Sequence, residues 1–161
     1  MKRVNFLLDT PIAWLEISGT TDAILGARWV LDDDAVIGSG LRSVAWKEAA
    51  EQQVKRYFEG SLYAFDLPLE FVAADAQIRS LKAIQSIEHG NTIDFQSFVA
   101  KNELNDLRMS DVMYAVGGNP FALIIPSHRV DLGDGAMGGS PLQRIDQQLR
   151  EYEKRSVRLA S

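Results

Sequence analysis

The sequence predicts an α+β protein: a small antiparallel sheet with one covering helix, followed by a mainly helical half. Three observations carry this. Three short apolar runs, Val4 to Leu8, Ala13 to Ile17 and Ala23 to Leu31, are separated by Asp9-Thr10-Pro11 and Ser18-Gly19-Thr20-Thr21. Such runs between turn residues describe an antiparallel meander. A stretch of helical spacing follows, and from Asp75 onward apolar residues recur at helical rather than alternating intervals.

Each element has its own signal. In SVAWKEAAEQQVKRYFEG, Trp46, Ala49, Ala50, Gln53, Val54, Tyr57 and Phe58 follow helical spacing, and Gly60 stands where a C-terminal cap belongs. SLYAFDLPLEF predicts a short extended return ending near Phe71. A helix over Asp75 to Ile87 carries Ile78, Leu81, Ile84 and Ile87 on one side. EHGNTID is a turn, which places His89 in a solvated loop. Asp94 caps a short helix through Ala100, and the polar corner KNELND leads into a second, from about Met109 to Val116. Two short helices around a tight corner form a helix-turn-helix pattern. Gly117-Gly118-Asn119-Pro120 stops the second helix, and Phe121 to Pro126 predicts a buried extended segment. After the loop GDGAMGG, Ser140 and Pro141 take the N-cap and first helical positions of a final helix. Its expected inner face is Leu142, Ile145, Leu149 and Tyr152. The expected lobes are residues 1–73 and 74–161.

Composition narrows the function. The chain has 161 residues, 46% hydrophobic and 24% charged, enough to bury a core without covalent staples. It has no cysteine. That excludes disulfides, thiolate zinc sites, iron–sulfur clusters and cysteine nucleophiles together. No metal site and no cofactor are expected. The opening MKRVNFLLDTPIAW is too short and interrupted for a signal peptide or a membrane span, so a cytoplasmic protein with no membrane partner is expected. The net charge of −5 is not that of a small basic nucleic-acid binder. The early run Asp32-Asp33-Asp34 contributes to it. Arg150, Lys154, Arg155 and Arg158 concentrate at the end, as either a solvated helix face or a phosphate-contacting patch.

The stretch NPFALIIPSHRV, residues 119–130, sets a serine beside a histidine. A hydrolase elbow places its serine between glycines on a strand-to-helix turn. Ser127 instead lies between Pro126 and His128. In an extended segment adjacent residues face opposite ways, so His128 is not expected to act as a directly bonded base.

The order of features resembles another family, the alkylguanine-DNA alkyltransferases (methylated-DNA–protein-cysteine methyltransferases) with their alkyltransferase-like relatives. The resemblance covers nearly the whole chain. It runs through RYFEG…FDLPL, AQIRSLKAIQSIEHGNTIDFQSFVA, GNPFALIIPSHRV, the DGAMGGS loop and the final helix ending LREYE. The Asn-Pro, six residues, Pro-x-His-Arg-Val block is its most specific part. The resemblance implies an N-terminal ribonuclease-H-like lobe and a C-terminal winged helix-turn-helix domain. It also implies duplex DNA carrying alkylated guanine as partner, bound in the minor groove with the base flipped out, and it implies a monomer. In that family the alkyl group passes irreversibly to a cysteine at the position of Ser127. A cysteine beside a histidine can become a thiolate near neutral pH. A serine hydroxyl is a far weaker acid and a harder nucleophile, so this chain is not expected to accept an alkyl group.

Asn119 and Pro120 match the family's turn into the active-site strand, and His128, Arg129 and Val130 match the rest of the block. Asn119 and Arg129 are also expected to hold backbone turns and lobe contacts. Glu153 matches the glutamate that orients the histidine if one residue is deleted from the glycine loop. Other positions depart. The family's finger arginine falls on Ser110, with Arg108 two residues away. Its base-flipping tyrosine falls near Gln96, and the tyrosine of its glycine loop falls on Ser140, after Gly139. The helix RMSDVMYAVGG carries bulky Met109, Met113 and Tyr114 and the acid Asp111. Met113 and Tyr114 read equally as packing between lobes or as DNA contacts. Three functions are therefore open. One is an alkyltransferase-like repair protein that binds the lesion without transfer and marks it for a repair-pathway protein. Another is an engineered Cys-to-Ser form of an active transferase. The last is a pseudoenzyme that keeps the scaffold for protein interaction.

Overall fold

The computed structural model describes residues 3–31, 44–133 and 140–160. Asp32 to Asp34 and the loop residues 134–139, Gly139 among them, lie outside the described residues. The chain divides into two compact units. The first takes in Met1–Val72 and Pro120–Ile124, the second Ala73–Asn119 and Ile125–Ser161.

The first unit is the predicted sheet with its helix. β1 (Val4–Leu8), β2 (Trp14–Gly19) and β3 (Ile24–Val30) form an antiparallel sheet in that order. Its register sets Phe6 opposite Ile17, and Ile17 opposite Ala27. Alternation decides which side chains are buried: Val4 and Phe6, Leu15 and Ile17, Ala27 and Trp29. α1 (Ala45–Phe58) buries Trp46, Ala50, Val54 and Tyr57, the positions its helical spacing marks. Trp46 stacks edge-on to Phe6 at 5.5 Å and donates its indole N–H to the Thr20 carbonyl at 2.8 Å. Gly60, at φ 81°, ends the helix: its N–H bonds to Tyr57 O and that of Ser61 to Arg56 O. That pair of bonds is a Schellman cap. The extended return is a single bridge, Leu69 to Ile24.

The second unit is helical. α2 (Asp75–Ile84) packs against α4 (Met109–Gly117), and Leu81, Ile84, Val112, Ala115 and Val116 are buried there. α2 stops at Ile84 rather than Ile87, and Ile87 is half-buried in the turn beyond. α3 (Phe95–Lys101) is capped as its sequence predicts: the Asp94 carboxylate accepts the Ser97 N–H at 2.9 Å. The corner between α3 and α4 turns at Glu103, φ 56°. Arg79 of α2 holds it with a two-armed bond to Asp106 at 2.8 and 3.1 Å and a third bond to the Glu103 carbonyl. β4 (Ile93–Asp94) pairs in parallel with β5 (Val130–Asp131). α5 (Pro141–Ala160) begins on its predicted cap, with Ser140 Oγ accepting the Gln143 N–H at 3.2 Å.

Two expectations need correction. Phe121 to Pro126 is not one extended segment. Phe121 makes a single bridge to Ala27, and two three-residue turns then follow. One is closed by Ile124 N–H to Ala122 O around Leu123 at φ 69°, the other by Ser127 N–H to Ile125 O around Pro126. Proline's fixed φ suits the second, which has the geometry of an inverse γ-turn. On α5, Leu142 is exposed; Ile145 and Leu149 are buried, and the inner face continues into Glu153 and Ser156. A terminal first-turn position has less to pack against than the middle of the helix.

Candidate functional site

The site is assembled around the turn that ends NPFALIIPSHRV. Ser127–Arg129 is one turn of 3-10 helix rather than a strand. The separation of Ser127 from His128 therefore comes from the fan of side chains around that turn. Ser127 is half-buried, and its hydroxyl accepts the Asn119 amide N–H at 3.0 Å. The same Nδ2 group donates to the Ile125 carbonyl at 2.7 Å. One amide thus holds the turn backbone and the Ser127 oxygen together.

His128 points the other way. Its Nε2 lies 2.6 Å from Glu153 Oε2 on α5. An ionised carboxylate only accepts, so Nε2 carries the proton, and in the neutral ring Nδ1 is left as an acceptor. Arg150, one turn before Glu153, donates to the His128 carbonyl at 3.0 Å. Arg129 grips the same carboxylate with two arms, Nε to Oε1 at 2.7 Å and Nη2 to Oε2 at 3.1 Å, while its Nη1 donates to the Ile87 carbonyl at 2.6 Å. The Gly90 N–H approaches Glu153 Oε1 at 3.4 Å.

The Glu153 side chain is 1% exposed. Burial pushes its carboxyl up, but the bonds and charges of His128 and Arg129 outweigh burial and hold it well below the usual carboxylate range. It is ionised at neutral pH, and Arg129 neutralises it. Asp146, also on α5, is raised by burial, with partial opposition from His128 and Arg150.

His89 corrects the sequence reading. Its side chain is only 2% exposed, with Nδ1 3.9 Å from Glu153 Oε2 and 3.5 Å from Arg129 Nη2. Burial first, then the charges of Arg129 and His128, lower its pKa against the pull of Glu153. The turn that looked solvated is drawn inward because Arg129 binds its Ile87 carbonyl.

Asn119 is thus bonded to Ser127, and His128 and Arg129 to Glu153; the chain through the Ser127–Arg129 turn sets the two bonded groups side by side. Val130 is buried in β5 opposite Ile93. Gln96 on α3, and Arg108, Ser110, Asp111 and Tyr114 on or before α4, are exposed and are not hydrogen-bonded to either group. Met113 and Tyr114 do not pack as core: they are 44% and 66% exposed. They lie off the α4 face that buries Val112, Ala115 and Val116. The sequence does not announce His89, Asp146 and Arg150 as neighbours of His128. For α5 a signal exists: Asp146, Arg150 and Glu153 recur at helical spacing, on the side of Leu149. Among the described residues no cluster of side chains is arranged to hold a metal ion, and no helix is long and apolar enough to cross a membrane.

Comparison with known proteins gives these groups their context. Residues 75–155 match the family model "6-O-methylguanine DNA methyltransferase, DNA binding domain". A methylated-DNA–protein-cysteine methyltransferase of Mycolicibacterium paratuberculosis is 28% identical over 138 residues, covering 82% of this chain and 80% of that protein. A protein of Thermus thermophilus named DNA base-flipping protein is 28% identical over 137 residues, covering 82% and 86%. The crystal structure of Mycobacterium tuberculosis OGT in complex with DNA superposes with a TM-score of 0.75 at 27% identity, covering 93% of this chain and 92% of that one. The α+β fold is that of these structures, and the chain belongs to the 6-O-methylguanine DNA methyltransferase family.

Proposed function

We propose that this protein is a DNA-repair protein that binds duplex DNA carrying O6-alkylated guanine and does not take the alkyl group. The observation that supports it is Ser127. It stands at the acceptor position, clamped by Asn119, beside a complete His128–Glu153–Arg129 group. The recognition scaffold is kept while the nucleophile is replaced. A buried base must leave the stack to be read. In this reading Asn119 and the 3-10 turn form the floor that receives it, with Val130 behind. Gln96, Arg108, Ser110 and Tyr114 face the duplex, and Ser140 borders the lesion. Ser110 in place of a finger arginine leaves the gap in the stack to a side chain such as exposed Tyr114, which supplies an aromatic face. Recognition without transfer leaves the lesion to a second repair protein.

Fluorescence anisotropy with a duplex containing O6-methylguanine and its guanine counterpart tests this. Tighter binding of the methylated duplex is expected, with no label transferred. Absence of binding to either at low salt would overturn it. A specific observation favours a second reading in that event. Met109, Met113 and Tyr114 are exposed on α4 around Asp111, and an apolar, acidic face suits a protein partner better than phosphates.

A further inference from the structure

The second unit holds a cavity of ≈ 550 Å³ that the bonded group around Ser127 does not use. Its size is within the range of small-molecule sites, about 300–1,000 Å³. Its walls come from three places: the turn between α2 and β4, the C-terminal end of α3, and α5. From these come Ser86, Asn91, Thr92, Asn102 and two cations, Lys101 and Lys154.

The lining carries positive charge and unspent polar groups. Lys101 and Lys154 are exposed, and neither makes an ion pair among the described residues. The side chains of Asn91 and Thr92 make no hydrogen bond to another described residue. Glu88 also lines the cavity, which leaves a formal excess of one positive charge. A helix C-terminus ordinarily repels anions. At the end of α3 this is blunted, because Phe98 O accepts from both Asn102 nitrogens, while Ala100 O and Val99 O accept from Glu103 and Leu104. Two lysines reaching one polar hollow match the chemistry of a phosphate group, which takes several donors and at least one full charge.

We propose that this cavity is an anion site that takes a phosphate group, with Lys101 and Lys154 supplying charge and Asn91, Thr92 and Asn102 supplying hydrogen bonds. The phosphate belongs either to a nucleotide-sized free ligand or to a DNA backbone. The proposal does not rest on lesion recognition. Occupancy has a built-in reporter. The turn that walls the cavity gives its Ile87 carbonyl to Arg129 and carries His89, and the chain has only two histidines.

The test titrates the full chain with inorganic phosphate and with AMP at constant ionic strength. Calorimetry gives affinity, and the two imidazole NMR signals report the site. Saturable binding with a shift of the His89 signals is expected. Lys101→Ala with Lys154→Ala should weaken it at least ten-fold without moving the thermal midpoint, and Lys154→Arg should retain it. A DNA source would show as competition between phosphate and duplex, with the salt slope of duplex binding reduced by about 2 in the double variant. A free-ligand source leaves duplex affinity unchanged. No saturable binding of phosphate or AMP by the native chain, or equal binding by the double variant, would overturn the proposal. A protein indifferent to methylguanine could still bind phosphate, so the two readings fail separately.

Discussion

Glu153 is the residue on which the most interactions converge. Removing its charge leaves the Arg129 guanidinium buried without its carboxylate. Breaking a buried pair in this way costs about 3–5 kcal/mol, so Glu153→Gln should lose that much in urea unfolding. The pH dependence follows from the same bonds. Below the ordinary carboxylate value the unfolded chain binds a proton that folded Glu153 refuses, so stability falls as pH drops toward the folded value. His89 acts in the same direction at higher pH. Its ordinary value is 6.5 and its folded value is lower, so stability present above 6.5 is lost as pH falls through the folded value. Asp146 works oppositely, because burial raises its carboxyl, and its contribution is lost as pH rises through that raised value. Urea unfolding across pH should show His89→Gln flattening the segment just below 6.5, and Glu153→Gln flattening the acid limb. An unchanged acid limb in Glu153→Gln would mean that other carboxylates carry it. At this scale the residue types are legible in the sequence, and the roles of Asn119 and Arg129 as backbone holders follow from their chemistry. His89 is not legible, since nothing within EHGNTID announces that Arg129 will draw it inward.

Elements were the most legible scale. Turn residues, helical spacing and caps are local, so the three strands, α1, the Asp94 cap and the Ser140 cap all follow from short windows. Two glycine and cap positions test that locality. A Cβ at Gly19 would lie 2.2 Å from the Ala23 carbonyl oxygen and 2.9 Å from both Ile24 Cα and Trp46 Cζ2. Backbone cannot yield as a flexible side chain does, so Gly19→Ala should destabilise by about 1–3 kcal/mol or more. Ser140→Ala removes one cap bond and should cost about 1 kcal/mol. Both are read by thermal or urea unfolding, and a larger loss from Ser140→Ala than from Gly19→Ala would reverse this ranking. Local reasoning failed over residues 121–126. Their apolar composition resembles a strand, but proline geometry and a positive φ at Leu123 break it into turns. Composition reports burial there, not backbone shape.

For the whole molecule, the central prediction concerns position 127. A thiol at position 127 would be the softer, more acidic nucleophile that the hydroxyl is not. Ser127→Cys should therefore retain label from free O6-benzylguanine, slowly but in a one-to-one ratio, while the native chain retains none. Free benzylguanine needs no base flipping, so the result isolates chemistry from DNA binding. A Ser127→Cys variant that folds and retains no label would show that the defect extends beyond position 127.

What the sequence determined by itself is that cysteine chemistry is closed to this chain. It has no cysteine, and serine stands between proline and histidine in its Asn-Pro…His-Arg-Val block. Residue identity alone decides that, whatever the fold. The tertiary structure decided who partners whom. Glu153 meets Arg129 across 24 residues of chain, Arg129 meets the Ile87 carbonyl across 42, and Gly90 approaches Glu153 across 63. Contacts at such separations depend on how helices pack, and packing is set by shape and burial summed over the whole unit. Local periodicity marks one face of α5 as buried; only the assembled unit determines that a carboxylate on that face meets Arg129, His128 and the buried His89.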